Sequence, residues 1–159
     1  MKVEQMMNPA VKACSPADSL NRAAQVMWEN VCGAVPIVDS ESKPIGFLTD
    51  RDICMAAYTQ GKPIHAMTVE LAMSRKVVRC QLHDDLDSAM RLMAEKHVRR
   101  LPVVGPDGKL VGVLSLDDLA YEAAQPLRGG VNRQLRDQVV EVLLAVSKGR
   151  IRARSATTN

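Results

Sequence analysis

Apolar residues along this chain fall into short blocks, and the blocks come in the same order twice. Short strands are predicted at Val11–Cys14 and Val77–Cys80. Behind each, Leu20, Ala23, Ala24 and Met27, and then Leu86, Ala89, Met90 and Met93, recur at helical spacing. Each set predicts a helix with one apolar face, and Asp18 or Asp84 stands where an N-cap belongs. Two nearly continuous apolar runs follow: VPIV to PIGFL (35–48) and LPVV to KLVGVL (101–114). Their connectors, DSESK and GPDGK, have hairpin chemistry. Strands this apolar need cover on both faces, which the helices can supply. A second helix is predicted from Thr49 and from Ser115, so the unit reads β-α-β-β-α.

The two copies align without a gap at an offset of 66 residues. Met7 meets Met73, Cys14 meets Cys80, Leu20 meets Leu86, Pro36 meets Pro102 and Gly46 meets Gly112. Such a register indicates duplication. Copy one is expected over 1–60, a linker marked by Gly61 and Pro63 over 61–66, copy two over 67–125, and a tail over 126–159. Sixty residues alone make a marginal core, so the copies are expected to pack on each other.

Composition adds limits. The 159 residues are 47% hydrophobic and 25% charged, a mix that fits a soluble globular protein. Only Trp28, Phe47, Tyr58 and Tyr121 are aromatic, so aliphatic side chains and nine Met must fill the core. A net charge of +3 is too small to argue for nucleic acid. No apolar run is long enough for a membrane span, and the N-terminus lacks a signal-peptide segment. A cytoplasmic protein is expected, with Cys14, Cys32, Cys54 and Cys80 as reduced, half-buried small hydrophobes. Their spacing does not suit zinc. No constellation for nucleophilic or acid–base catalysis is found, and His65, His83 and His97 read as linker, loop and helix-end residues. The chain is therefore not expected to be an enzyme.

The chemistry lies in the ends of the hairpins. GFLTDRD (46–52) and GVLSLDD (112–118) both place Asp three residues after Thr49 or Ser115. That spacing is a capping box, Thr or Ser capping a helix and Asp52 or Asp118 bonding back. The same geometry can bind a ligand. A helix N-terminus attracts phosphate, and a carboxylate there can accept from ribose hydroxyls. Gly46 and Gly112 would leave room for a purine. Copy two also carries Arg99 and Arg100 before its strand, where copy one has Gly33 and Ala34; copy one has Arg51 where copy two has Asp117. Arg suits phosphate through its planar fork.

The unit, the paired motifs and their register resemble the cystathionine-β-synthase (CBS) domain, which occurs in tandem pairs called Bateman modules. The resemblance covers about residues 1–125. It implies a mixed α/β (α+β) fold of two repeats packed about a pseudo-twofold axis, followed here by a C-terminal helix. It implies a regulatory module that binds AMP, ADP, ATP, NAD or S-adenosylmethionine in clefts between the repeats and signals to an effector protein. No cofactor is required; the adenosyl ligand is regulatory. The resemblance also implies homodimers. Arg100 matches a position from which a basic residue contacts phosphate in some members, so the Asp118 site is expected to favour phosphorylated ligands. The expected ligand-binding residues are Thr49, Asp52, Ser115, Asp118, Arg100, Arg99 and Arg51.

The tail carries seven basic residues against Asp137 and Glu141, a net charge of +5 that leaves the rest near −2. Asn132 after Gly129-Gly130 is the expected N-cap and Gly149 the expected stop of a helix. Leu135, Val139, Val142 and Val146 form its apolar stripe, widened by Val140, Leu143 and Leu144. Such a helix should pack on its own module or on a second chain. The end, RIRARSATTN, is expected to be disordered. The alternative function is a ligand-free structural or interaction module whose basic tail docks a protein or nucleic acid. Nucleic acid is disfavoured, because the tail lacks aromatics for stacking.

Overall fold

The structure, a computed structural model, describes residues 1–127, 130–131 and 133–156. In chain order the helices are α1 (Leu20–Glu29), α2 (Asp50–Gln60), α3 (Val69–Ala72), α4 (Leu86–Lys96), α5 (Leu116–Ala124) and α6 (Arg133–Ala156). The strands are β1 (Ala34–Val38), β2 (Pro44–Thr49), β3 (Cys80–Gln81), β4 (Arg100–Val104), β5 (Leu110–Ser115), β6 (Pro126–Leu127) and β7 (Gly130–Val131). This is the expected mixed α/β fold with its C-terminal helix.

The hairpins form where the apolar runs predicted them. β1 and β2 pair antiparallel, from Ala34 opposite Thr49 to Ile37 opposite Gly46. Their turn is tied by Asp39, whose Oδ1 accepts the Glu41 and Lys43 amides at 2.9 Å. The twin turn uses Asp107 Oδ1, accepting the Lys109 amide at 3.1 Å. Positive φ is needed in both turns: Ser42 supplies it at 63° and Gly108 at 77°.

The first strands are shorter than expected. Val11–Cys14 contributes only a parallel bridge between Cys14 and Ile37, and Val77–Cys80 only β3. The caps also differ. Ser19, not Asp18, caps α1, its Oγ accepting the Arg22 amide at 3.1 Å; Asp85, not Asp84, is the N-cap of α4. Asp18 and Asp84 instead fold the preceding turns, accepting the amides of Ser15 at 2.7 Å and Gln81 at 2.8 Å. A short side chain can satisfy either a turn or a cap, and here the turn wins. The cysteines split: Cys14 and Cys80 are buried, whereas Cys32 and Cys54 are exposed, so half-burial describes none of them.

The chain divides into two compact units that do not follow the repeats. One joins Ala10–Val77 to Val104–Val111; the other joins Met1–Pro9 to Val78–Val103 and the chain from Gly112 onward. We call them the α1–α2 unit and the α4–α5 unit. In the α1–α2 unit the core is Leu20, Ala23, Met27, Val35, Ile37, Leu48 and Val69 with their neighbours. The first residues of copy two cross onto copy one: Ser74 bridges Phe47, with N–H···O bonds of 2.8 and 3.1 Å. In the α4–α5 unit the equivalent arm comes from the N-terminus. Asn8 bridges Val113 at 2.9 and 3.0 Å, Val3 is fully buried, and Lys2 pairs with Asp85. These bridges are the same contact at the same 66-residue offset.

The glycines make this crossing possible. A Cβ on Gly46 would lie 2.6 Å from the Ser74 carbonyl oxygen and 2.5 Å from the Met73 methyl. One on Gly112 would lie 2.8 Å from the Asn8 carbonyl oxygen and 2.8 Å from Met7 Sδ. The room expected for a purine is taken by the arm, so these positions are glycine because two backbones meet there.

The helix α6 covers the α4–α5 unit. Leu135, Val139, Val142 and Val146 are all buried, while Val140, Leu143 and Leu144 are exposed on its outer side. The expected stop at Gly149 is wrong: α6 runs through it to Ala156, so residues 150–156 are helical, not disordered. One glycine costs a helix about 1 kcal/mol, and Lys148, Ala153 and the three arginines Arg150, Arg152 and Arg154 around it favour continuation. The expected cap Asn132, the Gly129 before it and residues 157–159 lie outside the described residues. No described helix is long and apolar enough to cross a membrane.

Candidate functional site

Thr49 ends β2 and caps α2. Its Oγ accepts the Asp52 amide at 3.1 Å, and the Thr49 amide and hydroxyl donate to Asp52 Oδ2 at 2.9 and 2.7 Å. The capping box is complete. In copy two, Ser115 Oγ accepts the Asp118 amide at 3.1 Å and donates to Asp118 Oδ2 at 2.8 Å. Ser115 is buried, while Asp118 reaches the surface. Both carboxylates are thus gripped through Oδ2, and Oδ1 takes no bond from the described residues. A fixed carboxylate with an open oxygen can accept from a ligand hydroxyl.

A cleft opens beside each carboxylate. Next to Asp52 it measures about 220 Å³ and is lined by Met55, Ala56, Thr59, Gln60, Leu71 and Ala72. Next to Asp118 it measures about 270 Å³ and is lined by Gln5, Met6, Met7, Asn8, Tyr121 and Glu122. The walls correspond at the repeat offset: Met55 to Tyr121, Ala56 to Glu122, Leu71 to Gln5, Ala72 to Met6. Each cleft therefore combines one repeat's second helix with the other repeat's arm. The arm residues were not expected at a site. Their only sequence signal was the repeat register, which extends back to Met7 and Met73.

The arginines are placed differently from the carboxylates. Arg99 donates to Asp117 Oδ1 at 2.6 Å and Arg100 to Asp117 Oδ2 at 3.2 Å. One carboxylate holds two guanidinium groups beside the start of α5, where the Leu116 amide bonds the Arg99 carbonyl at 2.9 Å. Neither arginine lines the Asp118 cleft, whose own wall carries the acidic Glu122. Arg51 lies exposed on the first turn of α2, after Asp50, whose Oδ1 accepts the Arg51 amide at 2.7 Å. The structure thus groups Thr49 with Asp52, Ser115 with Asp118, and Arg99 with Arg100. The Asp117 clamp spans residues too far apart for any sequence pattern to join them.

The buried thiols are not reactive groups. Burial, and then the charge of Asp84, pushes the Cys80 thiol up to about 12; burial also raises that of Cys14. Among the described residues no three His, Cys, Asp or Glu groups are placed to hold a metal ion.

Known proteins resemble this chain in sequence and fold. The CBS-domain family profile matches residues 3–58 and 68–124. The CBS domain-containing protein YhcV of Bacillus subtilis is 36% identical over 118 residues, 74% of this chain and 82% of YhcV. A protein of Methanopyrus kandleri, MK0525, is 33% identical over 105 residues, 66% of this chain; the match spans only about half, 54%, of MK0525. Among solved structures, the CBS domain pair of protein MJ0100, in complex with 5′-methylthioadenosine and S-adenosyl-L-methionine, superposes with a TM-score of 0.67. It is 24% identical and covers 76% of this chain and 98% of that one, a likeness of fold.

Proposed function

The chain belongs to the CBS-domain family and carries the domain twice, and from that premise we propose that it is a regulatory module that binds adenosine-containing ligands at Asp52 and Asp118. The observation that carries this reading is the pair of clefts. Each holds a carboxylate gripped on one oxygen and open on the other, on the first turn of a helix. In this reading Oδ1 accepts the ribose hydroxyls. The Ser115 or Thr49 hydroxyl, at the positive end of the helix dipole, faces the phosphate or its substitute. Tyr121 gives the Asp118 cleft an aromatic wall; Met55 gives the Asp52 cleft a softer one.

The adenosyl compounds bound by MJ0100 support the ligand class. Phosphate preference at Asp118 depends on Arg99 and Arg100 turning from Asp117 toward the ligand. In this reading Arg51, the residue before Asp52, adds positive charge near that site. The role is non-catalytic: occupancy changes how the module meets an effector protein. A thermal-shift panel of AMP, ADP, ATP, NAD and S-adenosylmethionine is the test. Saturating ligand, at about a hundredfold over Kd, stabilises the folded state by about 2.7 kcal/mol. A flat response to all five would leave the interaction-module reading in its place.

A further inference from the structure

The two clefts share a carboxylate but differ in their walls. Asp118, Tyr121 and Glu122 stand at i, i+3 and i+4 on α5 and line one cleft together. The residues in those places on α2 are Asp52, Met55 and Ala56. Copy two therefore has an aromatic ring and a second acid where copy one has a thioether and a methyl group. The Tyr121 side chain is not spent on the core, for the residue is 67% exposed.

The charge of the Asp118 cleft is one-sided. Its wall carries two carboxylates and no basic side chain, whereas the Asp52 cleft carries one carboxylate. Among the described residues no basic group pairs with Asp118 or Glu122. Arg99 and Arg100 are held by Asp117 at 2.6 and 3.2 Å and stand outside the cleft wall.

Like charges one helical turn apart repel, and a positive group between them relieves the repulsion. The face of an aromatic ring also attracts a cation. A phosphate placed there would meet two carboxylates instead. Water screens exposed groups, so the effect is a several-fold preference, too small to create affinity alone.

Adenosine-containing ligands differ in this property beyond the ribose: nucleotides carry an anionic phosphate, and adenosyl sulfonium compounds a positive sulfur. We propose that Tyr121 and Glu122 are specificity residues, through which the Asp118 cleft selects a cationic adenosyl ligand, a sulfonium of the S-adenosylmethionine type, over neutral and phosphorylated ones. The Asp52 cleft, which lacks both, discriminates less. This rests on the adenosine-ligand reading and adds the charge that each cleft accepts. It reverses the phosphate preference expected from Arg99 and Arg100 for as long as Asp117 holds them.

Calorimetry on the full chain tests it. Asp52→Ala leaves the Asp118 cleft to be read, and Asp118→Ala the other; Asp52→Asn, which keeps an acceptor for the cap, replaces Asp52→Ala if that variant is unfolded. The probes are S-adenosylmethionine and S-adenosylhomocysteine, which differ by one methyl group and the charge it places on sulfur, with AMP as the anion. In the Asp52→Ala chain the sulfonium should bind about three- to tenfold tighter than the thioether, the worth of exposed charge pairs and a ring face. Glu122→Gln should cut that ratio by about two- to fivefold and raise the affinity for AMP relative to the thioether. Tyr121→Leu should lower the ratio as well, and so should added salt. In the Asp118→Ala chain the ratio should stay within about twofold of one. Equal binding of sulfonium and thioether by the Asp52→Ala chain, or a ratio that Glu122→Gln does not move, overturns the proposal and leaves the adenosine reading standing. Failure of wild type to bind any of the three probes removes both.

Discussion

Asp118 and Asp52 each commit one carboxylate oxygen to their own helix cap and leave the other open. Replacing Asp118 by Ala should lower affinity for adenosine ligands by about tenfold to a hundredfold, the worth of a charged acceptor, measured by calorimetry. Loss of the cap partner should also lower stability by about 1 kcal/mol. Asp118→Asn, which retains an acceptor for the Ser115 hydroxyl, should separate the two effects. The Asp117 clamp gives a paired test. Asp117→Asn frees Arg99 and Arg100 and should raise affinity for ADP relative to adenosine by on the order of fivefold, the scale of an exposed ion pair. Arg100→Ala should change the same ratio in the opposite direction. The thiols provide a third test. Cys32 and Cys54 should alkylate at pH 8 while Cys14 and Cys80 stay protected. Burial disfavours the Cys80 thiolate, so its folded pKa, about 12, stands above the ordinary value of 9.0. Its contribution to stability is therefore complete below pH 9 and is lost as pH rises toward 12. Denaturation midpoints of wild type and Cys80→Ala should converge over that window.

At the scale of elements, the glycines at the arm crossings are the most exacting positions. Gly46→Ala and Gly112→Ala each push a methyl against a carbonyl oxygen of the crossing arm. Each should cost about 1–3 kcal/mol, the range for overpacking, seen as a lower denaturant midpoint. The hairpins, the amphipathic helices and the capping of α2 and α5 were legible because period and turn chemistry are local. The details that local chemistry leaves open were not. Asp18 and Ser19 can each cap a helix, and only the turn bond to Ser15 decides between them. Gly149 is a stop in isolation, and its flanking residues carry the helix through it. The Asp carboxylates of the site were legible as a motif, whereas the cleft walls at Gln5 and Leu71 were not, since a motif says nothing of what arrives from elsewhere in the chain.

At the scale of the molecule, the repeat boundaries in the sequence and the compact units of the fold part company at the arms. Removing residues 1–9 should strip amide-exchange protection from β5, α4 and α5 and leave the β1–β2 hairpin protected, because only the α4–α5 unit uses that arm. Exchange monitored by mass spectrometry should show the split. The arms also impose an order of events during synthesis. Most of the α1–α2 unit, Ala10–Val77, leaves the ribosome as one continuous stretch and can begin to close on contacts near in sequence. The first nine residues emerge before all of it and have nothing to pair with. Their partner strand, β5, follows about a hundred residues later, and the cover from α6 later still. Contacts so distant in sequence form slowly. Residues 1–9 therefore wait for residues 112–156. The Asp118 cleft, which residues 5–8 wall, is the later of the two to exist, so a nascent chain passes through a stage in which only the Asp52 cleft has formed.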